Sequence, residues 1–236
     1  MMEFRLKHIH KSYPGQVLYD DFSITFAAGQ ITCILGPSGC GKTTLLNIIC
    51  GNTAMVSGDR SGFEKSTFSY IFQEPRLLPW KTVAENVGFP LKERMDAGNY
   101  RRTVLHYLEM VSLVDKENLL PYQLSGGMKQ RVSLARAFAF PSDIILMDEP
   151  FKGLDYKLKN NLMDSFIDLW EEDPRTVISV THEVDEALYL GHEVIIFGHP
   201  PVQVLGTYHT GLATRKNLNS KELLEMKAEI IGRLSS

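Results

Sequence analysis

Hydrophobic positions along the chain fall into three patterns, and each predicts a different kind of element. Phe4, Leu6 and Ile9, and then Phe22, Ile24 and Phe26, alternate with polar residues. That is the two-residue period of strands with one buried face, and Pro14-Gly15 supplies the turn between them. Four short, nearly unbroken apolar runs, 31–35, 68–72, 143–147 and 176–180, read as strands covered on both faces. Helical spacing runs from about 82 to 120, with Val104, Leu105, Leu108, Val111 and Leu113 on one stripe, and again over 128–140. Further strands are predicted at 194–197 and 202–205, separated by Pro200-Pro201. In the tail, Leu223, Met226, Ile230, Ile231 and Leu234 form the apolar stripe of one more helix. Residues 57–62 read as a turn-rich break, and the two prolines of 74–80 make that stretch a loop carrying Leu77, Leu78 and Trp80.

The four buried runs share a feature that matters more than any one of them: each ends in side chains able to do chemistry. The first runs into Gly36, Pro37, Ser38, Gly39, Cys40, Gly41, Lys42, Thr43 and Thr44. Glycines there let successive N–H groups turn inward at the start of a helix, which makes a cradle for a polyphosphate. Lys42 is placed for the β- and γ-phosphates and the Thr43 hydroxyl for Mg²⁺. The second run ends at Gln73, the third at Asp148-Glu149 and the fourth at Thr181-His182. In an open parallel α/β sheet, ligands gather beyond the carboxyl ends of the strands. Asp148 is then placed for Mg²⁺, Glu149 to orient or deprotonate a water, and His182 to bond the γ-phosphate or that water. A second anion site is predicted where Ser125 caps a helix and Gly126-Gly127 leave its first amides open. Tyr13 lies in the first connection, where a ring either packs or stacks on a base.

Composition narrows the class. With 236 residues and 44% hydrophobic content the chain is long enough for one α/β core, and neither an internal repeat nor a second phosphate loop is visible. A net charge of −3 argues against a broad basic face for nucleic acid. Cys33, Cys40 and Cys50 lack metal or disulfide spacing and fit reduced thiols. No apolar run approaches the 18 residues of a spanning helix, so the expectation is a chain that neither crosses a membrane by itself nor is exported.

Taken together these residues resemble the ATP-binding cassette (ABC) ATPases over about residues 3–200. Residues 36–44 look like the Walker A loop, Gln73 like the Q-loop glutamine, 124–131 (Leu-Ser-Gly-Gly-Met-Lys-Gln-Arg) like the signature, 144–149 like Walker B, Asp155 like the D-loop aspartate and His182 like the switch histidine. Tyr13 is then the adenine-stacking aromatic. The resemblance implies a P-loop NTPase fold with a mixed, mainly parallel sheet and an N-terminal antiparallel β subdomain. It further implies one domain over 1–236, with an inserted helical subdomain at about 75–138 and a short C-terminal helix at about 219–234. Glu149, His182 and Gln73 are implied as catalytic, and Thr43, Gln73 and Asp148 as ligands of Mg²⁺. ATP is expected between the Walker loop of one subunit and Ser125, Gly126, Gly127 and Asp155 of another, in a head-to-tail homodimer.

The stretch 72–80 with Thr82-Val-Ala-Glu-Asn86 looks like the branch serving nitrate, sulfonate and taurine importers. That implies an ATPase at the cytoplasmic face of a membrane, docked through Leu77, Leu78 and Trp80 on a permease and served indirectly by an extracytoplasmic solute-binding protein. The alternatives are a soluble ABC ATPase driving an assembly or nucleic-acid process, and a P-loop kinase that leaves the signature unexplained. Two departures stand out. About a dozen residues separate Gly58 from Phe72, so a trimmed antiparallel subdomain is expected, and Lys152 occupies a D-loop position more often small.

Overall fold

The computed structural model describes residues 3–211 and 217–234. Chain order begins with two long antiparallel strands, β1 (Glu3–Tyr13) and β2 (Gln16–Ala27), turning at Gly15. Next come β3 (Ile31–Leu35), α1 (Lys42–Ile49), β4 (Ser57–Ser61) and β5 (Phe68–Phe72). The helical part holds α2 (Val83–Gly88), α3 (Ala97–Met110) and α4 (Gly126–Ala139). The chain then alternates β6 (Ile144–Asp148), α5 (Tyr156–Glu172), β7 (Thr176–Thr181), α6 (Val184–Leu190) and β8 (Glu193–Phe197), and ends with β9 (Val204–His209) and α7 (Lys221–Leu234).

Two sheets result. The larger runs β5-β6-β7-β3-β8-β9, parallel except for β9, and the smaller is antiparallel, β2-β1-β4. Successive side chains of a strand point to opposite faces, and the buried residues sort accordingly. Ile34, Ile144, Leu146, Ile178 and Ile195 join a cluster with α1 and the small sheet. Cys33, Leu35, Ile145, Met147, Val177 and Val194 join the helices on the other side. A sheet covered on both faces needs apolar residues at every position, which explains the unbroken runs. It also leaves the carboxyl ends of β3, β5, β6 and β7 together along one rim.

Four expectations are revised. Residues 57–61 form a strand, not a turn-rich break. The free edge of β1 pairs their backbone (Arg5 with Ser61, Lys7 with Asp59), while their side chains, too polar to show a buried face, stay in solvent apart from Arg60, which donates to the carbonyls of Ile48 and Ile49. The antiparallel sheet therefore keeps three strands despite the short link to β5. The helical stretch 82–120 is not continuous: Pro90 lies in a 3-10 turn after α2, and Asp96 starts α3 anew by accepting the amides of Gly98 and Asn99. The last strand begins at Val204 because Val202 is taken by the small sheet, its N–H donating to Leu18. In α7, Leu223 and Ile230 are buried but Ile231 faces out.

Candidate functional site

Beyond the carboxyl ends of β3, β5 and β6 lies a cleft of about 690 Å³. Its walls are Ser38, Gly39, Gly41, Lys42, Thr43, Thr44, Gln73, Asp148 and Glu149, with Phe72, Glu74, Arg76 and Lys152. The strand order explains the gathering: β5 and β6 are neighbours, β7 separates β6 from β3, and all four strands run the same way.

The loop from β3 to α1 is shaped by a glycine that nothing else could replace. Gly41 sits at φ 105°, and a Cβ there would come within 3.0 Å of Leu18 and the Tyr19 hydroxyl. That hydroxyl donates to the Gly41 carbonyl, and burial among its neighbours raises the Tyr19 pKa. As N-cap of α1, Gly41 has no side chain to cap the first turn, so those amides face the cleft as an anion-binding end. Lys42 is buried, and its ammonium donates to the carbonyls of Gly36 (2.7 Å) and Pro37 (2.9 Å). Cys40, also buried, has a thiol whose pKa burial raises although Lys42 opposes it.

Thr43 donates its hydroxyl to Asp148 at 3.0 Å, and Tyr70 donates to the other oxygen at 3.4 Å. The two adjacent carboxyls are driven in opposite directions. Burial lifts Asp148 above the ordinary carboxylate range, Glu149 adds to this by its charge, and the Thr43 hydroxyl opposes it. Burial also works against the charge on Glu149, yet Lys152, His182 and Lys42 together hold it below its ordinary value. Such divergence between neighbouring carboxyls is how a site separates their roles. Glu149 follows β6 with φ 46°, an uncommon conformation for a side-chain-bearing residue, held by its N–H donating to Val180 of β7. His182 Nδ1 lies 3.4 Å from Glu149 Oε1, and Lys152 Nζ 2.5 Å from Oε2.

The remaining candidates form other groups. Ser125 caps α4 by accepting the Met128 amide at 3.3 Å, and Asp155 caps α5 by accepting the Leu158 amide at 3.0 Å. The two helix starts touch where Leu158 covers Gly127, so closely that a Cβ on Gly127 would stand 2.5 Å from it. Gly126 is open, with nothing within 4 Å of a Cβ. Neither group lines the cleft of its own chain. Tyr13 closes β1, 47% exposed, with the Lys11 ammonium 4.9 Å from its ring centre.

Sequence reasoning missed the ties between these parts. Gln130, buried on α4, donates to the Pro150 carbonyl just after Glu149 and to Phe72 just before Gln73. Arg136 donates to the carbonyls of Pro75 and Arg76. Gln130 falls inside the signature run, but its partners are backbone atoms, which no residue pattern announces. Gln130→Leu would leave those carbonyls without their donor. It is expected to lower stability by about 1–3 kcal/mol, read as an earlier urea midpoint, and to slacken the Gln73 loop.

The sequence profile of the ABC transporter family matches residues 19–152. The aliphatic sulfonates import ATP-binding protein SsuB 1 of Pseudomonas syringae pv. syringae is 36% identical over 234 residues, covering 99% of this chain and 96% of that protein. The taurine import ATP-binding protein TauB of Jannaschia sp. is 38% identical, covering 90% and 84%, and the nitrate import ATP-binding protein NrtD of Synechococcus elongatus 35%, covering 80% and 73%. Among solved structures, the dimeric bacterial ABC transporter cassette MJ0796 superposes with a TM-score of 0.75 at 31% identity, over 88% of this chain and 98% of that one. A dimeric post-hydrolysis state of the same cassette, bound to ADP and Pi, gives 0.73 at 30%, with the same coverage.

Proposed function

This chain belongs to the ABC transporter family, and from that premise we propose that it is the ATP-hydrolysing subunit of an importer for a small anion of the sulfonate, taurine or nitrate kind. The observation that carries the reading is the single cleft in which Lys42, Thr43, Gln73, Asp148 and Glu149 meet, with His182 against Glu149. Lys42 exchanges its two carbonyl partners for phosphate oxygens, a stronger charge-assisted bond. The open first turn of α1 receives the rest of the phosphate charge. Glu149, kept ionised, takes the proton of the attacking water, and His182 holds the carboxylate and the terminal phosphate in register.

A Mg²⁺ ion fits the donors present. The Thr43 hydroxyl, Asp148 and the Gln73 amide are hard oxygen ligands around one space, and a nucleotide's own phosphates complete the shell Mg²⁺ prefers. When bound, the ion supplies neutralisation of phosphate charge. Thr43 and Asp148, already hydrogen-bonded to each other, hold its position. Tyr13 offers an exposed ring for the base.

The second anion site finds its use in a head-to-tail dimer, in which Ser125, Gly126 and Gly127 of one subunit meet the nucleotide in the cleft of the other. The dimeric form of the similar solved cassette supports the pairing of two copies. ATP then favours closure and its hydrolysis permits opening, through the difference in affinity between the two states.

The partner surface lies beside the Gln73 loop. An apolar groove of about 390 Å³ is lined by Phe68, Tyr70, Phe72, Leu78, Phe89, Pro90 and Phe140, and Trp80, two residues past Leu78 in sequence, is 71% exposed. Of the three docking candidates, Leu78 lines the groove and Leu77 packs against the main core. A helix presented by a permease on the cytoplasmic face of the membrane fits this groove, and an extracytoplasmic solute-binding protein would feed the other side. No helix among the described residues is long and apolar enough to cross a membrane. Affinity purification from gently solubilised membranes of the native source is expected to recover a multispanning permease, and Phe89→Asp is expected to lose it. Recovery of soluble partners alone would overturn the transport reading.

A further inference from the structure

Lys152 holds Glu149 from within the same tight turn. The Lys152 amide donates to the Glu149 carbonyl at 3.2 Å and its ammonium reaches Oε2 at 2.5 Å, while His182 stands at Oε1. Each carboxylate oxygen of Glu149 thus has a side-chain nitrogen of its own chain within ion-pair distance, Oε2 without a hydrogen bond. The turn itself is fixed: Phe151 is buried without exposure, and Gln130 holds the Pro150 carbonyl. The Lys152 stem is not fixed in that way. It is 41% exposed and lines the nucleotide cleft, and a four-carbon chain ending in a point charge re-aims easily.

We propose that Lys152 is a positioning residue that pairs with Glu149 and releases it to a triphosphate in the cleft, slowing turnover while adding affinity for the nucleotide. This rests on the reading of Glu149 as the base. An ammonium 2.5 Å from Oε2 lowers that oxygen's basicity and fills the space from which the attacking water would reach it. The terminal phosphate carries more charge than one carboxylate and competes for the same ammonium. Only the fraction of molecules with Glu149 released is competent, so turnover is scaled by that fraction. A half-exposed ion pair shifts such an equilibrium by up to roughly fivefold.

Steady-state ATPase kinetics of the full chain with Mg²⁺, comparing the parent with Lys152→Met and Lys152→Arg, tests this. Lys152→Met is expected to raise kcat by roughly two- to fivefold and to raise KM for ATP, while Lys152→Arg stays near the parent in both. A merely structural lysine would lower kcat on removal and leave no such split. A Lys152→Met kcat at or below the parent's, or a raised kcat with KM unchanged, would overturn the proposal. Lys152→Gln gives the same comparison if the methionine variant folds poorly. Glu149→Gln measured alongside separates the two readings: if it still turns over, the base assignment fails, whereas an inert Glu149→Gln with a parent-like Lys152→Met removes only the role of Lys152.

Discussion

Glu149→Gln is expected to cut ATP turnover by about 10²- to 10⁴-fold and to leave a dimer that persists as long as ATP is present. Glutamine has the size of the native side chain and can occupy the same turn, whose unusual φ is held by a backbone bond to Val180 rather than by the carboxylate. Its amide cannot accept the proton of the attacking water. Lys42, Thr43 and the open turn of α1 are untouched, so nucleotide affinity should survive. Burial would still push Asp148 upward, but neutralising residue 149 removes the charge that adds to it, which favours the ionised Asp148. Binding without hydrolysis leaves the closed state no exit. Size exclusion with ATP and Mg²⁺ should show the shift from monomer to dimer, and ADP should not produce it. A variant that hydrolyses ATP at a rate near the parent's, or one that elutes as a monomer with ATP, would remove Glu149 from the role of base.

The fold was legible where burial dictates composition. A sheet covered on both faces demands apolar residues at each position, so β3, β5, β6 and β7 stand out as unbroken runs, and their shared direction carries the loops after them to one rim. β4 was illegible for the converse reason: its Ser-Gly-Asp-Arg-Ser side chains remain largely in solvent, and only the free backbone edge of β1 makes them a strand. The division of residues 82–120 depends on the turn after α2 and on the Asp96 cap, local features that a helical period runs straight through.

At the site, the residues that meet in the cleft each follow a buried run, which is why position in sequence sufficed to nominate them. What escaped is the way they are joined. Gln130 and Arg136 act on backbone carbonyls 20 to 61 residues away along the chain, linking the helix behind the signature to the loops around Gln73 and Glu149. Lys152 could be singled out as unusual from the sequence, but its pairing with Glu149 depends on how sharply the chain turns at Pro150. Such ties give the groove beside Leu78 a physical route to the cleft, because Phe72 lines both and Arg136 of α4, which lines the groove, holds the Pro75 and Arg76 carbonyls of the loop that lines the cleft.

Two variants that are each inactive should restore one another if the nucleotide is shared between subunits. Lys42→Ala removes the buried ammonium from the phosphate cradle. At 2–5 kcal/mol for a charge-assisted contact of this kind, affinity should fall about 30-fold or more. Gly126→Asp acts at the start of α4, outside the cleft of its own chain. Gly126 begins α4 with nothing within 4 Å of a Cβ, and an aspartate at a helix N-terminus suits the local field, so the fold should tolerate it. The added carboxylate nevertheless occupies the place where a partner's terminal phosphate would dock. The Gly126→Asp chain alone should therefore bind ATP in its own cleft yet fail to close as a homodimer, and the Lys42→Ala chain should fail for want of nucleotide. In a mixed pair, the intact cleft of the Gly126→Asp subunit faces the intact Ser-Gly-Gly turn of the Lys42→Ala subunit, giving one complete site and one doubly defective site. Tagged Lys42→Ala is accordingly expected to capture untagged Gly126→Asp when ATP is added and to release it with ADP. If the mixture stays unassociated while each variant is folded, or if Gly126→Asp closes with itself as readily as the parent, the nucleotide is not held between two copies of this chain.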